Sequence, residues 1–599
     1  MEEKTLDFHA FYTGTSLNAY EFLGAHVTKN GTVFRVYAPA ASRITVTGEF
    51  NNWGETDLNR IHNGQFWECT ITSAHPGMMY KYKIYTSHGC TEHCDPYGYG
   101  MEVRPNWASI IRNTRSYKFH DSAWMKKRTN HRTAPLNIYE FHAGSWRTHW
   151  SVSKAWYTYR DLAEHLLPYV KEKGYNYIEL LPLAEHPSDD SWGYQCTGFY
   201  SPTARYGSMD DLKYFIDMCH KQNVGVILDF VPVHFALDSY GLANFDGTTL
   251  YEYPHGDVGN SEWGSKNFNH SRGEVQSFLA SCANYWLSEY HFDGLRIDAL
   301  SNIIYWHGNK ERGVNTNAVE FIRTMNNGLK QLHPGIMLIA EDSTSYPGVT
   351  TPTNWGGLGF DYKWDMGWMN DTLSYFQMDT NARKQNYHKL TFSMMYYYSE
   401  SFLLPLSHDE VVHGKATILQ KMNGYYDEKF PQARALYLYM YAHPGKKLNF
   451  MGNEFGQLRE WDEKEEQDWA ILTYPIHDAF ATFMKDLCKL YLKSPALSER
   501  DFEESGFHWL DCHQEDRCIY AFERTAYNER IAAVFNFSDT PQTYYLPIND
   551  CSHLKLLISS AEEKYAGTKK YNKQKIYAAK DNQVKLELPA FSGAYYKVF

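Results

Sequence analysis

One short stretch constrains this chain more than any other: FDGLRIDAL (292–300), where an apolar run carrying Leu295 and Ile297 delivers Arg296 and Asp298 at its end. An arginine two residues before an aspartate is weak on its own. Three further stretches repeat the design, a β-branched or apolar run ending in acid or histidine: VILDFVPVH (226–234), IMLIAEDST (336–344) and FLLPLSHDE (402–410). A fold that presents reactive side chains from the ends of several different strands is the (β/α)8 barrel, at its C-terminal face.

The segments between these stretches support that architecture. A strand at 138–141 is followed by a helical pattern over Tyr159–Lys173 and a second strand in YNYIELLPL (175–183). Helical patterns at 208–222, 274–290 and 317–332 alternate with strands at 224–230, 294–297 and 336–340. The helix at 208–222 carries Leu212, Phe215, Ile216 and Cys219 at i, i+3, i+4 and i+7. Such alternation implies βαβ units and a parallel sheet. GFDYKWD (359–365), SFLLPL (401–406) and KLNFMGNEF (447–455) are the expected strands six to eight. A chain of 599 residues exceeds one core. Its two ends are of different character. Residues 1–30 read as a partly helical lead-in. TVFRVYAP, SRITVTGEF, GQFWECTIT and MMYKYKIYT then form the strand pattern of a β-sandwich. The segment 95–135 reads as a linker wrapping back onto the barrel. Past Pro495, FHWLDC, CIYAFERT, RIAAVFNFS, TYYLPI, LKLLISS, VKLELP and AYYKVF are short alternating runs without helical spacers. The expected division is a β-sandwich module with lead-in over 1–118, a barrel over 119–495 and an all-β domain over 496–599.

At the four strand-end stretches the chain resembles the α-amylase family of glycoside hydrolases and transglycosylases. Its SHDEVVHGK (407–415) is most similar to the form of that motif in the glycogen branching enzymes, and VYAP…VTGEFNNW…YKY resembles the starch- and glycogen-binding modules that precede branching and debranching enzymes. The resemblance implies a catalytic trio. Asp298 matches the family's nucleophile, Glu341 its acid/base and Asp409 its transition-state carboxylate. It implies substrate contacts from Tyr194, in WGYQCTGFYSPTARYG (192–207), and from His234 and His408. Asp229 matches the family's acid in the first motif and is expected to orient Arg296 or the barrel mouth without itself reacting. Retaining cleavage of a glycosidic bond needs such a carboxylate pair ~5–5.5 Å apart, and an oxocarbenium-like transition state needs negative charge close by. Arg296 should favour the ionised form of Asp298, whereas a proton donor needs burial and acidic neighbours.

The implied activity is transfer of an α-1,4-glucan chain to a 6-hydroxyl through a covalent glycosyl-enzyme. A hydrolase of the same fold and a non-catalytic glycan-binding scaffold are the alternatives, and the intact carboxylates argue against the scaffold. The carboxylates do not separate branching from hydrolysis, because the two differ only in what attacks the intermediate. No cofactor is implied. Calcium-dependent amylases have Asn before the histidine of the first motif; this chain has Val233, whose isopropyl group offers calcium no oxygen.

Composition narrows the partners. With 58 basic against 70 acidic residues, a formal charge of −12 and no basic run, nucleic acid and anionic membranes are poor matches. An α-glucan suits the aromatic excess of 17 Trp, 48 Tyr and 33 Phe, since sugar C–H faces pack on rings. Trp53 and Trp67 are sugar platforms or core residues of the small sandwich. Trp192, Tyr194, Phe199, Tyr200, Tyr251, Tyr253, Trp263 and Phe268 line an acceptor groove or fill the core. The N-terminus has no secretory pattern, and no segment reaches the ~20 apolar residues of a membrane span. With 10 scattered cysteines read as reduced thiols, a cytoplasmic location is expected. His88, Cys90, His93 and Cys94 fit no common zinc spacing and read as the approach to a turn at Asp95-Pro96. Nothing in the sequence sets an oligomeric state.

Overall fold

The computed structural model describes residues 5–149, 155–572 and 574–599; the first four residues of the lead-in, and of the 1–118 module, lie outside them. Eight parallel strands close a barrel in sequence order: β1 Asn137–Phe141, β2 Tyr177–Leu180, β3 Gly225–Phe230, β4 Gly294–Ile297, β5 Met337–Ala340, β6 Tyr362–Trp364, β7 Phe402–Leu406 and β8 Lys446–Phe450. Every residue of these strands is buried, which is why they read as continuous apolar runs and not as alternating ones. The helices between them include α1 Tyr159–Lys173, α2 Met209–Lys221, α3 Gly273–Glu289, α4 Thr316–Leu332, α5 Met366–Gln377, α6 Tyr426–Ala442 and α7 Pro475–Lys493. Helix α2 starts where the sequence calls for it. Ser208 accepts from the Asp211 N–H while Asp211 accepts from the Ser208 N–H, a reciprocal cap.

Two compact units divide the chain: Met1–Thr129 with His142–His165 and Leu180–Phe360, and Asn130–Phe141 with Leu166–Glu179 and Asp361–Phe599. The first holds the ladder β3–β4–β5, in which Asp229 sits opposite Arg296 and Arg296 opposite Ile339. It also holds the N-terminal sandwich, a four-stranded sheet facing a five-stranded one. The sandwich begins at Gly24, eight residues before the expected Thr32. The lead-in helix Phe8–Tyr12 is anchored on α3, where Ser277 Oγ donates to the Phe11 carbonyl at 2.8 Å. The presumed linker contains a short strand, Ser109–Ile110, and a helix, Ser122–Lys127. That helix wraps onto the barrel through Trp124, whose indole N–H donates to Asp293 at 2.8 Å. His88, Cys90, His93 and Cys94 fall at one edge of the sandwich: Gly89–His93 pairs with Met79–Thr86, and the His93 ring is held by the Gly241 carbonyl and Thr91. An Asx turn follows, with the Tyr97 N–H bonded to Asp95 Oδ1 at 2.9 Å.

The second unit holds the ladders β6–β7–β8–β1 and the C-terminal domain, a six-stranded antiparallel sheet with the pair Gln542–Pro547 and Gln583–Leu588. Its core includes Ile519, Val534, Leu546, Leu556, Leu586 and Tyr596. A buried ionic group joins this domain to the barrel: Asp501 accepts from Lys446 of β8 at 2.9 Å and from Arg524 at 2.7 Å. Helix α6 also meets the C-terminal sheet, so residues 435–442 are buried on every face.

Candidate active site

The C-terminal end of β4 organises the candidate residues of the first unit. Arg296 is 1 % exposed, and its guanidinium is a node for three carboxylates. Nη1 reaches both oxygens of Asp229 at 2.7 Å and Asp298 Oδ1 at 2.9 Å; Nη2 reaches Glu341 Oε2 at 2.7 Å. Removal from water works against the charge on Arg296. The attraction of Asp229 and Glu341, then of Tyr194 and Asp298, outweighs it and raises the guanidinium well above its ordinary range. Asp229 therefore meets the Arg296 guanidinium with both of its carboxylate oxygens. Tyr194 joins through its hydroxyl, which donates to Asp229 Oδ2 at 2.5 Å.

Backbone geometry fixes the other two acids. The Asp298 N–H bonds the Phe230 carbonyl at 3.0 Å, and the Leu300 N–H bonds the Glu341 carbonyl at 2.9 Å. Between them Ala299 adopts φ 44°, ψ 46°. A left-handed alanine costs ~1–2 kcal/mol. Here it turns the Ala299 N–H onto Glu341 Oε2 at 2.9 Å. Oε2 thus accepts two donors, from β4 and from the turn after it. Glu341 is held by a guanidinium that also carries Asp229 and Asp298.

His234 lies just beyond β3, in a two-residue strand paired with Lys266–Asn267. Burial lowers its pKa to about 4, so the ring is neutral at working pH. Nδ1 is out of water and has no hydrogen-bond partner among the described residues. The ring lies 5.0 Å from that of Trp263, which is 42 % exposed and whose carbonyl accepts from Gln195. Val233 is buried, its carbonyl bonded to the Phe268 N–H. Of the eight candidate groove aromatics, Phe199, Tyr200, Tyr251, Tyr253 and Phe268 are core; Trp192 and Tyr194 are half-buried and Trp263 stands in solvent.

In the second unit, β7 ends in Ser407, His408 and Asp409. His408 is 2 % exposed, and its Nδ1 lies 2.6 Å from Glu140 Oε1 of β1. Its Nε2 lies 3.5 Å from Asp409 Oδ1, and Asp409 is the more open of the two, with 45 % of its side chain exposed. Glu140 was not a sequence candidate. The available signal was a lone charge inside the apolar strand NIYEF. In the sandwich, Trp53 is 43 % exposed with the Lys81 ammonium 6.0 Å from its ring. Trp67 is 3 % exposed and donates to the Ala38 carbonyl, which makes it a core residue and not a platform.

Family models match three parts of the chain: carbohydrate-binding module 48 (isoamylase N-terminal domain) over residues 22–98, the alpha amylase catalytic domain over 151–243, and the alpha amylase C-terminal all-beta domain over 509–599. Among solved structures, the type I pullulanase of Bacillus subtilis superposes with a TM-score of 0.75 at 19% identity, covering 96% of this chain and 85% of that one. The pullulanase of Bacillus acidopullulyticus gives 0.74 at 17%, covering 98% and 76%. At such identities these share the fold. Sequence relatives are nearer. The 1,4-alpha-glucan branching enzyme GlgB of Geobacillus stearothermophilus is 46% identical over 89% of this chain and 85% of its own length. Those of Fusobacterium nucleatum and Bacillus subtilis are 43% and 42% identical, each over 96% of this chain and 95% and 93% of their own. The chain belongs to the 1,4-alpha-glucan branching enzymes of the alpha-amylase family.

Proposed function

We propose that the chain cleaves an α-1,4-glucosidic bond with retention and transfers the released chain to a 6-hydroxyl, making the α-1,6 branches of a glycogen-type glucan. The observation that carries this reading is the Arg296 fork, which holds Asp298 and Glu341 together at the ends of adjacent strands. Asp298 attacks the anomeric carbon while Glu341 gives its proton to the departing 4-oxygen. The C1–O4 bond breaks and a C1–Asp298 ester forms. Glu341, now deprotonated, takes the proton of an incoming 6-hydroxyl, whose oxygen displaces Asp298 from C1. Arg296 keeps Asp298 a good leaving group by stabilising its carboxylate charge. Asp409, at the end of β7, is proposed as the carboxylate that stabilises the oxocarbenium-like transition state, with Tyr194, His234 and His408 as contacts to the reacting sugar.

Branching requires a held acceptor to outrun water. Oriented groups reach effective molarities of ~10⁵ M and above, enough to do so. The N-terminal module, with Trp53 exposed beside Lys81, is proposed to hold glucan during this work. Among the described residues no helix is long and apolar enough to cross a membrane, and a cytoplasmic site of action is part of the proposal. The test is incubation with amylose, following iodine colour and reducing ends before and after isoamylase. Colour should fade while reducing ends barely rise, and isoamylase should then release new chains. Reducing ends climbing in step with colour loss would make the protein a hydrolase.

A further inference from the structure

We infer that Glu140 is a positioning residue for the transfer reaction: its carboxylate sets the tautomer and orientation of His408. The inference rests on the reading of His408 as a substrate contact. Glu140 is 1 % exposed within β1, between Tyr139 and Phe141. A carboxylate there must be compensated by hydrogen bonds or charge, or it destabilises the strand. Among the described residues, all the donors that its side chain meets come from the end of β7. Oε1 accepts from His408 Nδ1 at 2.6 Å and from Ser407 Oγ at 2.9 Å; Oε2 accepts the His408 backbone N–H at 3.2 Å. The carboxylate therefore grips the backbone and the ring of one residue together.

A carboxylate is an acceptor only, so the proton between it and the ring sits on Nδ1. Nε2 is then left on the opposite side of the ring, 3.5 Å from Asp409 Oδ1. It can accept from a substrate hydroxyl when the ring is neutral and donate when the ring is charged. The rings of Phe450 and Trp461, each 6.0 Å from the imidazole, flank it and limit its rotation. Glu140 faces His408 on one side and Asp409 on the other. A carboxylate ordering a catalytic imidazole in this way is worth up to ~10⁴-fold in kcat where it has been removed from serine proteases.

Glutamine cannot replace Glu140. Its amide has one acceptor oxygen and one NH2, while both positions face N–H donors. Either the NH2 meets the His408 N–H, or it meets Nδ1 and forces the proton onto Nε2. We expect Glu140→Gln to fold and to lose about 10²- to 10⁴-fold in kcat per folded molecule, with KM moving less than about threefold. A purely structural role would lower the yield of folded enzyme and leave kcat per folded molecule intact. Should Glu140→Gln fail to fold, Glu140→Asp, which keeps the charge and withdraws it by one methylene, reads the same split. His408→Ala is assayed beside them. If it is inactive while Glu140→Gln retains wild-type kcat, the inference is overturned and the reading of His408 stands. If His408→Ala is itself fully active, both fall.

Discussion

Arg296 Nη2 donates to Glu341 Oε2 at 2.7 Å, so one cation on β4 holds both the proposed acid/base just past β5 and the proposed nucleophile just past its own strand. The two carboxylates are therefore not independent. Whatever moves the guanidinium moves both, and Asp229 holds the guanidinium from the third side.

This dependence predicts the behaviour of Arg296→Lys. Lysine keeps the charge but has a single nitrogen, which cannot span Asp229, Asp298 and Glu341. We expect kcat to fall by about 10³-fold, the scale seen when one preorganised donor is lost. Stability should drop by up to about 3 kcal/mol, because buried carboxylates lose a partner. Activity assays and urea unfolding measure the two effects, and near-wild-type turnover would show that the fork is dispensable.

The roles of the two carboxylates separate by choice of donor. Asp298→Ala should lose several orders of magnitude on every substrate, since no ester forms. Glu341→Gln should be as inactive on amylose, yet release a burst of about one fluoride per enzyme from an α-glucosyl fluoride, whose leaving group needs no proton, and then stall as the ester for want of a base. Absence of a fluoride burst from both variants would argue against Glu341 as the acid.

The places of the candidate acids were legible because they end apolar runs that could only be buried strands. Asp229, Arg296, Asp298, Glu341 and Asp409 all follow from that pattern together with the family motifs. Glu140 was not legible, because its meaning lies in His408, which is 268 residues away. The Arg296–Glu341 contact was missed for a similar reason. Adjacent strands are close in space, but no spacing rule says which oxygen meets which nitrogen. Helix α6 escaped detection because it is covered by the C-terminal sheet as well as the barrel, which removes the one-sided pattern of an ordinary surface helix. The strand at Gly24–Thr28 was hidden by its glycine start and half-exposed end.

His234 should behave as a residue kept for function at the expense of stability. Its Nδ1 is buried without a partner among the described residues, a condition that costs about 1–3 kcal/mol. His234→Phe removes the orphan nitrogen and keeps a ring against Trp263. The melting temperature should hold or rise while branching activity is lost. A clear fall in melting temperature would show that the imidazole makes a stabilising contact.

Metal removal should leave activity intact. The residue before His234 is Val233, buried and without a side-chain oxygen, where a calcium-dependent relative has its asparagine. Treatment with EDTA and desalting, followed by assay with and without added calcium, measures this. Activity lost to EDTA and restored by calcium would require an oxygen cage elsewhere in the chain.

The last prediction concerns pH and the opposite end of β4. His220 of α2 lies between Asp121 Oδ2 at 2.8 Å and Asp293 Oδ2 at 3.0 Å, with Trp124 stacked on its ring. Burial works to lower its pKa. The charge of Asp293 and hydrogen bonds to Asp121 and Asp293 overcome this and raise it to about 9. The unfolded imidazole titrates near 6.5. A folded value above the unfolded one means that the group stabilises the protein fully below about pH 6.5. That contribution is then lost as pH rises through about 9. The interval corresponds to roughly 3 kcal/mol. Asp293 also accepts the Val226 N–H at 2.8 Å, so the ion pair supports the start of β3. Urea unfolding of wild type and His220→Gln at several pH values is the measurement. Wild type should exceed the variant by the most at pH 6, and the gap should shrink towards pH 9.5. A gap that stays constant across this range would show that His220 stabilises the barrel by packing against Trp124 and not by its charge.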